Sequence, residues 1–171
     1  MANPQGKSDM DLTWLGGFID GEGSFFFARN ANPTTQRGYV WRPTFKVSNT
    51  DAPTLDVVID ILRENGLPYY VDSWRRLDHP RYKPYWTVMV YGPKRMGRFC
   101  RALIPYLRTK RHEAEIVLEY CERRLAKPYE KNADGKVRPP DYDEGDLALI
   151  QALRPIDSLH RPHARGRQQV A

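Results

Sequence analysis

The chain has 171 residues, 40% hydrophobic and 12% aromatic, which excludes a disordered polymer and suits one globular domain with a real core. Its net charge of +6 and pI near 9.4 favour an anionic partner, and the charge is local: residues 72–111 hold eleven Lys and Arg against two Asp and Glu, a net +9, interleaved with Trp74, Tyr82, Tyr85, Trp86 and Tyr91, a mixture that suits nucleic acid. With two cysteines and no apolar run of about 18 residues or signal peptide, a disulfide framework and a cysteine-rich zinc site have no support, no membrane partner is expected, and the chain is expected to be soluble and intracellular, the compartment left open.

In chain order, an apolar run over residues 12–20 predicts a helix, with Asp9 and Asp11 as candidate caps. Gly16 and Gly17 lack the Cβ that would hold a second backbone away, so they permit close helix-to-helix approach. Asp20 and Glu22 fall at the helix C-terminus, where the negative macrodipole makes a carboxylate cost roughly 0.3 to 1 kcal/mol and a bound cation would reverse the sign. Residues 24–29 and Tyr39–Asn49 read as strands, the second alternating Trp41, Phe45 and Val47 against Arg42, Thr44, Lys46 and Ser48. Between them, residues 30–38 form a long hairpin loop with Arg37 as a phosphate candidate. Thr50, Asp51, Ala52 and Pro53 open a second helix with the stripe Leu55, Val58, Ile59 and Leu62, and Gly66 closes it.

A second pair of strands covers residues 69–76 and Tyr85–Tyr91, with Trp86, Val88 and Val90 facing inward and a basic, proline-containing stretch at 77–84 between them. Residues 94–104 give a third helix ended by Pro105, and residues 111–125 a fourth, with Ala114, Val117, Leu118, Cys121 and Leu125 along one side. Cys100 and Cys121 lie on these helices and read as core filler. The order is αββαββα. Residues 127–145 read as a polar linker, 147–159 as one or two short helices broken near Pro155, and 161–171 as a basic tail; His160 and His163 there have no acidic or thiol partners and read as polar tail rather than metal ligands. The chain thus divides into a core at 1–126, a linker with short C-terminal helices packing on it at 127–160, and a flexible tail at 161–171.

The run Leu15, Gly16, Gly17, Phe18, Ile19, Asp20, Gly21, Glu22, Gly23 resembles the motif of the LAGLIDADG homing endonucleases, matching its hydrophobic, small and acidic classes at all nine positions. The resemblance implies a mixed α/β fold: an αββαββα core whose four-stranded antiparallel sheet is a DNA-binding saddle, plus C-terminal helices. It places the motif helix at a two-fold interface through Leu15, Gly16, Gly17, Ile19 and Asp20. One motif per chain implies a homodimer, since neither residues 132–136 nor 142–146 follow a second small-residue helix. A two-fold dimer implies a long pseudo-palindromic double-stranded DNA site cut on both strands by a metal-dependent, intron-encoded nuclease. An intron RNA maturase, and a catalytically inactive DNA-binding regulator of the same fold, are the alternatives the resemblance leaves open.

The same resemblance assigns site residues. Glu22, eighth in the motif, is similar to the acid that binds the catalytic cation, with the carbonyl of Gly21 beside it; Mg²⁺ is expected, Mn²⁺ substituting and Ca²⁺ binding without supporting cleavage. Asp20, sixth, is the second metal candidate, although in relatives that position more often braces the paired helices. Asn49 ends the second strand where relatives place a water-holding Gln. Lys110 closes the run Pro105, Tyr106, Leu107, Arg108, Thr109, Lys110, which resembles the approach to the family's active-site lysine; without the motif it reads as an ordinary cation at a helix start. Pro53 stands where some relatives carry a basic residue, leaving Arg108 or Arg111 to compensate. Alternation puts Ser24, Phe26, Ala28, Asn30, Arg42, Thr44, Lys46, Ser48, Asp72, Trp74, Arg76, Tyr85 and Thr87 on the face toward the major groove, with Arg37, Arg75, Lys110 and Arg111 as further DNA contacts. Arg or Lys there suits guanine and Asn suits adenine, while the remaining cations suit phosphate.

Overall fold

Period-two alternation in two hairpins builds a sheet, and helical stripes cover one of its faces. The computed structural model describes residues 4–33, 35, 37–74, 83–131, 135, 137–153 and 156–157. Helix α1 (Pro4–Glu22) leads into the hairpin β1 (Ser24–Ala31) and β2 (Tyr39–Asn49); helix α2 (Ala52–Glu64) leads into β3 (Tyr70–Trp74) and β4 (Tyr85–Tyr91). Helix α3 (Pro93–Leu103), a 3₁₀ turn (Ile104–Tyr106) and helix α4 (Arg111–Ala126) complete the αββαββα order that the sequence predicts. Strand order is β3-β4-β2-β1, all antiparallel, so the two hairpins join through their second strands.

The register aligns Phe25 with Phe45 and Val90, and Val47 with Val88 and Val71. Phe25, Phe27, Phe45, Val47, Val88 and Val90 are buried beneath Leu55, Val58 and Leu62 of α2, Met96, Phe99 and Leu103 of α3, and Ala114, Val117 and Tyr120 of α4. Rings lock the layers: Phe99 lies 4.7 Å from Phe45, and Phe27 meets Tyr120 edge-on at 4.6 Å. Asp51 caps α2 by accepting from the Thr54 N–H, and Gly66 leaves it at φ +61. Cys100 and Cys121 are buried free thiols; burial pushes Cys100 up to about 12 and raises Cys121 as well, so both are inert filler. No helix among the described residues is long and apolar enough to cross a membrane.

Several expectations are corrected. Helix α1 starts before residue 12, so Asp9 and Asp11 are interior rather than capping; tertiary bonds from Tyr106 to Asp9 (2.8 Å) and from Ser8 to Asn65 (2.7 Å) fix its early turns. Leu125 is 52% exposed, because the buried stripe of α4 continues from Tyr120 and Cys121 to Arg124 instead. Residues 127–145 are more than a linker: β5 (Glu130–Lys131) pairs with β6 (Val137–Arg138), and Asp143 opens a capping box with Asp146. That box starts the single helix α5 (Glu144–Ala152), and β7 (Ile156–Asp157) adds a short parallel fifth strand beside β1. The basic tail and both His160 and His163 lie outside the described residues.

Arg124 is tolerated in the interior because Asp146, with a fully buried side chain, lies 3.1 Å away. Lys127 also reaches Asp146 at 2.5 Å and Asp143 at 2.7 Å, while Arg124 donates to the carbonyl of Asp141 at 3.0 Å. Lys127, the Asp146 N–H and Arg123 hold the Asp143 carboxyl well below the usual range. This cluster fastens α5 to α4. Asp146→Ala is expected to leave Arg124 buried without its anion and to lower unfolding free energy by about 3 to 5 kcal/mol, read as a shift of the urea midpoint; an unshifted midpoint would show that the cluster does not fasten α5.

Candidate nucleic-acid interface and cleft

At 100° per residue, α1 presents two different faces. Leu15 and Ile19 are fully buried in the core, and a Cβ on Gly16 would collide with the backbone of Tyr106. Gly17 and Gly21 face open space, beside exposed Met10 and Trp14, with Phe18 stacked on Trp14 at 5.4 Å. The sequence placed Leu15, Gly16 and Ile19 at an interface between copies; they are engaged within the chain, and Gly17 alone of the small and apolar set lies on the outer stripe. Gly16 and Gly17 are adjacent but serve opposite sides of the helix.

Asp20 closes the seam between α1 and the turn that leads into α4. Its carboxylate accepts from the backbone N–H of Arg108 at 2.8 Å and of Lys110 at 3.0 Å. Partial burial works against ionisation, but the N–H groups of Lys110, Arg108 and Thr109 and the Thr109 hydroxyl outweigh it and hold the acid below its ordinary value. Each oxygen thus takes part in bracing the turn against the helix end. The Lys110 ammonium donates to the Asp20 carbonyl at 2.6 Å, supplying the positive charge that this helix terminus favours.

Two residues further on, Glu22 is exposed. It borders an open cleft of about 580 Å³ with Lys46, Ser48, Asn49, Thr50 and Tyr85. The cleft therefore unites Glu22 and Asn49 with three of the residues expected to face DNA; Lys110 does not line it. The Asn49 side-chain oxygen accepts from the Asp51 N–H at 2.9 Å, which fixes the amide. Thr50 was missed in the sequence, its only signal being adjacency to Asn49. Pro53 occupies the first turn of α2, where its fixed φ starts the helix. Arg111 is engaged with Glu115 at 2.9 Å.

The sheet face opposite the core follows the predicted alternation. Ser24 pairs with Lys46, Ala28 with Arg42, Asn30 with Val40, Ser48 with Thr87, and Thr87 with Asp72, so these side chains share one face with Phe26, Thr44 and Tyr85. Trp74 holds the position opposite Tyr85. Tyr70, Met89 and Tyr91 belong to the same face, by the same alternation, and were overlooked. Thr44 and Thr87 are 5% and 4% exposed, and Thr87 shares a 2.8 Å hydrogen bond with Ser48, so neither hydroxyl is presented outward. Arg37 is exposed on the hairpin loop, 5.6 Å from the Tyr142 ring. Arg75 and Arg76 lie outside the described residues.

Architecture places this arrangement among solved structures. The chain aligns with homing endonuclease I-CvuI bound to DNA at a TM-score of 0.54 and 22% identity, covering 68% of each chain. The fold is that of the homing endonucleases. An archaeal intron-encoded homing endonuclease complexed with DNA, I-Vdi141I, gives 0.51 at 17% identity over 67% of this chain and 68% of that one. Meganuclease I-SmaMI bound to DNA gives 0.56 at 15% identity, over 82% of this chain but 42% of its own length. By sequence, no family model and no curated protein matches.

Because its folded-state value is depressed, Asp20 contributes stability above the unfolded value of 3.8 that is lost as pH falls through the lower folded value. Asp20→Asn is expected to lower stability at neutral pH and to flatten the acid limb below 3.8, measured as urea midpoints along a pH series; an unchanged acid limb would remove Asp20 as the brace.

Proposed function

We propose that the chain is a site-specific endonuclease of the homing type, acting as a homodimer that hydrolyses both strands of a long, pseudo-palindromic DNA duplex with Mg²⁺. The observation that carries this reading is the cleft: Glu22 leaves the small-residue helix beside Asn49, at the margin of a sheet face bearing Arg42 and Lys46, in a fold shared with DNA-bound homing endonucleases. Residues 1–126 are the proposed endonuclease core, to which Asp143 and Asp146 at the start of α5 are fastened through Arg123, Arg124 and Lys127.

The donor chemistry fits a hard divalent cation. Glu22 offers an exposed carboxylate and Gly21 a neighbouring carbonyl, the oxygen ligands Mg²⁺ prefers. In the proposed homodimer, the Glu22 of the second copy adds further charge. I-CvuI has been solved on DNA with 2 mM Mg and with 2 mM Ca. Such an ion supplies polarisation of the scissile phosphate and activation of water. The chain's own part is positional: Asn49, anchored through its oxygen, directs its amide N–H toward an attacking water, and Lys46 and Tyr85 hold the adjoining DNA. Lys110, whose ammonium donates to the Asp20 carbonyl, keeps a positive charge at the end of the motif helix.

The outer α1 stripe of Met10, Trp14, Gly17 and Gly21 supports pairing, since two helices cross closely where neither carries a Cβ. The chain's match to 42% of I-SmaMI is also consistent with one copy furnishing one half of a two-fold assembly. Gly17→Leu is expected to shift the mass in light scattering from twice 19.9 kDa to 19.9 kDa; a wild-type monomer would remove the homodimer.

Incubation with a randomised duplex library, with Mg²⁺ or with EDTA, tests the activity. Discrete Mg²⁺-dependent ends inside a pseudo-palindrome are expected, and Glu22→Gln is expected to slow cutting by about 100-fold or more, the scale of losing one electrostatic stabiliser, while binding is retained. Enriched binding without cuts by the wild type overturns the nuclease in favour of a binding protein.

A further inference from the structure

One row of side chains on the outer sheet face lies apart from the cleft. The Arg42 guanidinium sits over the Tyr91 ring at 5.2 Å. Tyr91 stacks on Tyr70 with centroids 4.4 Å apart and planes 14° from parallel. Arg95, from the first turn of α3, sits over the Tyr70 ring at 5.4 Å. Tyr91 pairs with Thr44, and Tyr70 with Met89, so the tyrosines are diagonal neighbours on β4 and β3. The row crosses β2, β4 and β3 within about 15 Å, close to the roughly 12 Å width of the DNA major groove.

A guanidinium held over a ring keeps its in-plane N–H fork for another acceptor and loses rotamer freedom in advance. Arg63, Arg101, Arg111, Arg123 and Arg124 all meet carboxylates. Among the described residues, Arg42 and Arg95 meet none. Arg95 is exposed and Arg42 half-buried. Their positions differ in a useful way, because β2 lies at the centre of the four-stranded sheet whereas α3 begins at its rim.

We propose that Arg42–Tyr91–Tyr70–Arg95 is a preorganised two-arginine clamp on duplex DNA, in which Arg42 donates its fork to a guanine edge and Arg95 donates to a backbone phosphate. The proposal rests on the DNA-binding reading above. Tyr91 and Tyr70 are positioning residues that touch no base; they fix where the two cations stand. Arg95 extends the contact surface beyond the strands, onto the start of a helix whose Met96, Phe99 and Cys100 face the core.

The test uses the full chain, selection from a randomised duplex library and salt titrations on the selected site. Arg42→Ala is expected to relax preference at one guanine in each half-site by roughly five- to hundred-fold. Tyr91→Ala should relax the same base pair and Tyr91→Phe should restore it, since Phe keeps the ring. Arg95→Ala should weaken all sequences alike and lower the slope of log affinity against log salt by about one per copy. An intact preference in Tyr91→Ala, or an unchanged salt slope in Arg95→Ala, overturns the clamp. Failure of the wild-type chain to select any duplex instead overturns the DNA-binding reading itself.

Discussion

Two backbone N–H groups converging on the Asp20 carboxylate fix the helix end from which Glu22 enters the cleft. Helix α1 runs alongside the turn from Ile104 to Lys110 and is tied to it at three levels: Asp9 accepts from Tyr106, Gly16 lets the Tyr106 backbone approach, and Asp20 accepts from Arg108 and Lys110. A carboxylate bonded to oriented peptide groups is a charge-assisted contact, and these are the strong ones. It fixes the end of α1 against the start of α4, so the next acid along, Glu22, projects from a rigid element into the cleft. One acid is bonded to the scaffold, and its neighbour two residues later borders the cleft.

The sheet requires a second kind of closure. Strand β4 pairs with β2 only from Thr44 onward, so the backbone of Trp41 extends past the end of its neighbour. Tyr142 accepts from the Trp41 N–H at 2.7 Å, and Tyr120 donates to its carbonyl at 3.2 Å, replacing the strand partner that is missing there. Tyr142 is held in turn against Arg124 at 4.5 Å, within the buried cluster that includes Asp146. The C-terminal segment thereby stiffens the β1–β2 hairpin from behind, and Arg37 on its loop sits near the same tyrosine.

Charge counted along the chain is a blunter guide than charge placed in space. The basic stretch at 72–111 includes Arg98, which donates to the Gly66 carbonyl at 2.8 Å, and Arg101, which pairs with Glu122 at 3.0 Å. Both cations serve the helical layer behind the sheet. Arg42, by contrast, comes from a segment with a net negative sum, and it stands on the open face.

Local physics sufficed for the αββαββα order of the core, the inner and outer faces of the strands, the glycine that ends α2 and the acid–glycine helix end, because each depends on periodicity or a single backbone preference. Bounds and burial roles depended on distant partners. The sequence could not show that Asp9 bonds Tyr106, that Arg124 is buried at a position where the stripe suggested Leu125, or that Leu15 and Ile19 face inward while Gly17 faces out. The acids were legible as a pair, and their separate environments were not: Asp20 meets backbone donors 88 and 90 residues away, whereas Glu22 meets an open cleft. The order of apolar and polar residues determined which elements form, and only the tertiary structure decided which polar groups are already partnered and which remain open to a ligand.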